Sequence, residues 1–141
     1  MIKRKKNDYR YYIPHEYIDS EVVNGNYCKI EFFLEEDFPS ESKYYYGVYL
    51  HIGKRKRDDR LKQTGKCGLS GLIWGKKKII EFEEYIKNNY NEFCHFTKPE
   101  IFILIGWDDN KRRNVYARGL KDIGFYFKYI GNKKYLVKQI I

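Results

Sequence analysis

Glu100-Ile101-Phe102-Ile103-Leu104-Ile105 decides the fold. Five large apolar residues stand in a row without polar alternation, so the segment reads as a strand covered on both faces. Such a strand lies inside a sheet, and side chains must pack above and below it. Lys98-Pro99 ends the loop before it, and Gly106 to Asn110 carries a turn after it. Upstream, Leu69, Leu72, Ile73, Ile79, Ile80 and Ile86 fall near one side of a helical wheel, which predicts a helix from Leu69 to about Asn89. Downstream, Lys111 to Asp122 reads as a second helix, closed by Gly124 at its C-terminal cap.

Further outward the pattern changes to strands. Asn26 to Leu34 and Lys43 to Ile52 are rich in aromatic and β-branched residues and are separated by the loop Glu35-Glu36-Asp37-Phe38-Pro39-Ser40. Tyr9 to Ile13 is a short strand candidate stopped by Pro14, and Asn24-Gly25 is a two-residue turn signal. Phe125 to Tyr129 and Tyr135 to Ile140 flank Gly131-Asn132 as a terminal hairpin. Gly53 to Lys66, with Lys54-Arg55-Lys56-Arg57 at its start, is too polar to bury and reads as a surface loop. The expectation is an α+β fold: a single domain over residues 9–141, with a mixed central β-sheet of about five to seven strands and two main helices. Residues 1–8 read as a flexible basic arm.

Composition sets the outer limits. The chain has 141 residues, 43% hydrophobic and 18% aromatic, which excludes a disordered polyampholyte. Its apolar runs fall far short of the ~20 residues of a membrane helix, and its basic start leads into no apolar signal core. Three cysteines, Cys28, Cys67 and Cys94, contain no C-x-x-C pair, which fits neither a disulfide framework nor a zinc ribbon and points to a reducing, cytoplasmic setting. Cys94-His95 is adjacent rather than spaced for a metal, so no metal site is expected. Neither a Walker A lysine motif nor a G-x-G-x-x-G is present. With 28 Lys and Arg against 19 Asp and Glu, the net charge of +9 favours an anionic partner.

Gly65-Lys66-Cys67-Gly68-Leu69-Ser70-Gly71 precedes and opens the main helix. Backbone N–H groups at a helix N-terminus bind pyrophosphate, and small residues let the ligand come close. The run from the strand Tyr44 to Ile52, through this segment and the helix, to the strand Glu100 to Ile105 and the junction Leu120 to Phe125 resembles the GNAT-type N-acetyltransferases over about residues 43–141. The resemblance implies acetyl-CoA as cofactor, held at Gly65, Lys66, Gly68, Leu69, Ser70 and Gly71, with Lys54 to Arg57 attracting its phosphates. It implies acyl transfer to an amine acceptor. Tyr116, one helical turn before the family's tyrosine position and on the same face, is the candidate acid for the leaving thiolate; His51 near the end of the central strand, or Glu31 on the preceding strand, is the candidate base. Three residues depart from the family pattern: Gly65 replaces Arg or Gln, Ser70 replaces Gly or Ala, and Leu120 replaces the usual tyrosine.

Two other classes compete. A nucleic-acid-binding protein would use Lys3 to Lys6, Lys54 to Arg57, Lys76 to Lys78 and Lys111 to Arg113, with Tyr11, Tyr12, Trp74 and Trp107 for stacking. A non-catalytic assembly protein on the same fold would need no tyrosine at position 120.

Overall fold

In a computed structural model of the chain, Asn24 and Gly25 both hold positive φ, 51° and 80°, as a two-residue type I′ turn demands. The structure describes residues 2–3, 14–35, 43–53, 64–93, 100–107 and 110–141, and leaves the side chains of 2–3, 64–70, 90–93 and 110–112 undescribed. The turn joins β2 (Glu16–Val23) to β3 (Asn26–Leu34), and Ile2–Lys3, the short strand β1, pairs with Glu16 and Tyr17 at the outer side of β2. The strand expected at Tyr9 to Ile13 lies outside the described residues.

β4 (Lys43–Gly53) follows antiparallel to β3. The chain then crosses through α1 (Thr64–Phe93) into β5 (Glu100–Ile105), which pairs parallel with β4 from Lys43↔Glu100 to Gly47↔Leu104. Next come α2 (Asn110–Leu120), a short 3-10 turn at Lys121–Ile123, and the hairpin β6 (Tyr126–Ile130) and β7 (Lys133–Gln139). β7 inserts between β5 and β6, and the seven strands lie in the order β1-β2-β3-β4-β5-β7-β6. The α+β architecture with a mixed sheet and two main helices matches the expectation. α1 extends past both of its expected ends because polar residues such as Thr64 and Asn91 leave no periodic signal.

β5 is buried on both faces, as its composition requires. Ile101, Ile103 and Ile105 join the main core under the helices, while Phe102 and Leu104 join Tyr45 and Val137 on the opposite face. The main core is aromatic at its centre: Phe82 of α1 stacks on Phe32 of β3 at 4.1 Å and 9°, with Tyr17 and Tyr46 edge-on. The Tyr46 hydroxyl donates to the Pro14 carbonyl at 2.6 Å, which satisfies a buried polar group.

Ion pairs fasten α1 to its neighbours. Lys78 reaches Asp19 on β2 at 2.7 Å, Lys138 on β7 reaches Glu83 at 2.7 Å, and Lys76 reaches Asp122 at 2.6 Å. The Trp74 indole donates to Glu21 on β2. β2 therefore turns acidic side chains toward the helix layer. Glycine permits the closest approach: a Cβ on Gly71 would stand 1.8 Å from Ile52 Cδ1, and one on Gly119 would stand 2.4 Å from Leu72 Cδ2. No described helix is long and apolar enough to cross a membrane.

Candidate functional site

β3 and β4 carry the two candidate bases to the face of the sheet away from the helices. Lys29 sits opposite His51 and Glu31 opposite Tyr49 in the register. The Lys29 ammonium lies 2.7 Å from one Glu31 oxygen, and His51 Nε2 lies 3.9 Å from the other. The hydrogen bond to Glu31 pushes the Lys29 pKa up. Glu31 is therefore occupied as a partner of Lys29.

Tyr116 lies on the other side of the sheet. It projects from α2 into the helix layer, where it packs on the main core and lines a cavity of about 60 Å³ with Ile30, Val48, Leu50, Ile105 and Leu120. The sheet separates it from His51 and Glu31, so the three residues form no single catalytic constellation. Leu120, at the position of the family's tyrosine, is 2% exposed and belongs to the core.

The glycine segment lies inside a helix rather than ahead of it. α1 begins at Thr64, so Gly65, Lys66, Gly68, Leu69, Ser70 and Gly71 all fall within its first two turns or so. From the fifth residue onward a helical N–H bonds to the carbonyl four residues back, which commits the amides of Gly68, Leu69, Ser70 and Gly71 to the helix. Gly71 serves the approach to Ile52. Lys54 to Arg57 lie outside the described residues.

The basic runs divide in a similar way. Lys76 and Lys78 are engaged by Asp122, Asp19 and Glu81, and Trp74 is buried against β2. Arg4, Lys5, Lys6, Tyr11 and Tyr12 lie outside the described residues, and of Lys3 the structure describes the backbone alone. Trp107 packs edge-on against Phe127 at 5.7 Å.

The charge itself is concentrated in the last quarter of the chain. Nine of the 28 Lys and Arg but one of the 19 Asp and Glu lie in residues 110–141, a net +8 against +1 for residues 1–109. There Arg113, Asn114, Ala117 and Arg118 of α2, Phe127 of β6 and Lys134 of β7 line an open recess of about 620 Å³. The helical spacing of Arg113, Asn114, Ala117 and Arg118 puts all four on one side of α2. Lys134 Nζ stands 4.6 Å over the Phe127 ring and 5.9 Å from that of Tyr129. Among the described residues, Arg113 and Arg118 reach Asn114, its side-chain oxygen at 3.3 Å and its carbonyl at 3.4 Å respectively. Among the described residues no carboxylate pairs with Arg113, Arg118 or Lys134. Three cations held together without a counter-charge favour an anionic ligand with several oxygens.

No protein-family model and no solved structure matches the chain. Among curated proteins it is similar to the cyclic GMP-AMP synthase CdnE03 of Staphylococcus schleiferi, with 22% identity over 141 positions. The match covers 86% of this chain and 39% of the relative, so the chain spans about two fifths of that protein. Similarity to a cyclic GMP-AMP synthase overturns the GNAT resemblance. With it go acetyl-CoA as cofactor and acyl transfer to an amine; element order was shared without shared chemistry.

Proposed function

We propose that this chain binds a nucleotide in the recess between α2 and the β6–β7 hairpin, as part of a nucleotide-transferring protein. The observation that carries the reading is the convergence of Arg113, Arg118 and Lys134 beside the exposed ring of Phe127. Guanidinium groups present planar forks of donors that match phosphate oxygens, and Lys134 adds a point charge. The Phe127 ring offers a surface for a base, since base–aromatic stacking contributes about 1–3 kcal/mol. A volume of about 620 Å³ falls within the range of small-molecule sites. The relative's name, a cyclic GMP-AMP synthase, supports the same ligand class.

Nucleotidyl transfer uses metal ions held by converging carboxylates. Among the described residues no three His, Cys, Asp or Glu side chains converge in this way, so the proposal concerns binding and charge neutralisation. Calorimetric titration with ATP and GTP tests it. Arg118→Ala and Lys134→Glu are each expected to weaken binding about tenfold or more, as loss of a charge-assisted phosphate contact requires. Unchanged affinity in both variants would place the nucleotide elsewhere.

A further inference from the structure

β6 ends the sheet, and among the described residues it pairs with β7 alone. The loop at Gly131-Asn132 has two residues, with Gly131 at φ 63°. In a hairpin of this kind the flanking pair Ile130↔Lys133 is hydrogen-bonded and the pattern alternates from there. Lys128↔Tyr135 is then bonded, while Tyr129↔Lys134 and Phe127↔Leu136 are not. The N–H and C=O groups of Phe127 and Tyr129 consequently point outward from the sheet. The rings beside them are open to solvent, 42% exposed for Phe127 and 67% for Tyr129.

We propose that this edge takes an acidic, extended peptide as an additional strand. Phe127 and Tyr129 each offer one donor and one acceptor, spaced as a peptide main chain is spaced. A DNA backbone offers acceptors to the two N–H groups and leaves both carbonyls unmatched, and the 2′-hydroxyls of RNA do not alternate donor and acceptor at the spacing of a strand. Charge selects the sign of the partner. The hairpin carries Lys128, Lys133, Lys134 and Lys138 and no acidic residue, and of these only Lys138 is paired with a carboxylate among the described residues. A second copy of the chain would bring two segments of net +8 together across the edge, which disfavours self-pairing. Lys128, whose ammonium stands 5.5 Å from the Phe102 ring centre, likewise guards the strand against neutral chains and welcomes acidic ones.

The probe is a fluorescein-labelled decapeptide alternating Glu and Thr, read by anisotropy against the full chain. Tyr129→Pro removes an outward N–H and no bond to β7, so the sheet tolerates it while strand addition is blocked. Binding is expected to fall about tenfold or more in Tyr129→Pro, to persist in Tyr129→Thr, and to weaken from low to physiological salt. The same peptide N-methylated on every amide is expected to lose binding to the wild type, which decides the matter even if Tyr129→Pro does not fold. Equal binding of the methylated and unmethylated peptides would overturn the proposal. So would tighter binding of decathymidylate than of the peptide, or a salt-stable dimer of the chain that Tyr129→Pro abolishes. Tyr129→Pro leaves Arg113, Arg118, Phe127 and Lys134 in place, so its nucleotide affinity separates failure of this proposal from failure of the recess reading.

Discussion

Gly71→Ala is the substitution that separates a glycine kept for packing from one kept for a ligand. The new Cβ would stand 1.8 Å from Ile52 Cδ1 and 3.2 Å from its Cγ1, and Ile52 is 2% exposed, with little space to turn into. Overpacking of this kind costs about 1–3 kcal/mol. Alanine recovers about 1 kcal/mol over glycine within a helix. The net expectation is a loss of about 1 kcal/mol, a fall in Tm of about 3 °C for a chain of this size. Ile52→Val removes Cδ1 and alone costs about 1 kcal/mol through the cavity it leaves. In the double variant the alanine methyl occupies that cavity, so the two changes should couple by about 1–2 kcal/mol in the favourable direction. Urea unfolding followed by tryptophan fluorescence gives the four stabilities of the cycle. A higher midpoint for Gly71→Ala than for the wild type, or additivity within about 0.3 kcal/mol, would refute the close approach of α1 to β4.

Phe82→Ala, which deletes the ring stacked on Phe32 and touched by Tyr17 and Tyr46, should cost about 3–5 kcal/mol by the same unfolding measurement. The Glu83 carboxyl is held below its ordinary value of 4.5: burial opposes this, and the hydrogen bonds from Lys138 and Lys87 outweigh it. Its contribution is therefore complete above that value and lost as pH falls through the lowered pKa, so Glu83→Gln should flatten the loss of stability between neutral pH and acid. GTP binding should weaken as salt rises, and Arg118→Ala should show a shallower dependence than the wild type when affinities are compared across ionic strengths.

The centre of the fold was legible because its signals are local. The unbroken apolar run at Glu100–Ile105 requires a strand covered on both sides, and Asn24-Gly25 and Gly131-Asn132 are turns whose residue types carry the needed φ. β2 left a weaker trace, since Asp19 and Glu21 face the helices and meet Lys78 and Trp74, more than fifty positions away. Gly71 shows why a glycine near a helix start is ambiguous: a phosphate-binding helix start and a helix pressed against a strand both need residues without side chains, and only tertiary contact, here with Ile52, tells them apart. The recess was hidden because Arg113 and Arg118 come from α2 and Lys134 from β7; the sequence pattern marks the run Lys111 to Arg113, while the fold supplies the other two cations.

The most direct test of the nucleotide reading is a titration of isotopically labelled protein with GTP, following backbone amide resonances. The expected result is saturable shifts concentrated at Arg113 to Arg118, Phe127 and Lys134, with the amides of Gly65 to Gly71 unmoved. An absence of shifts, or shifts centred on Gly65 to Gly71 with the recess silent, would contradict it.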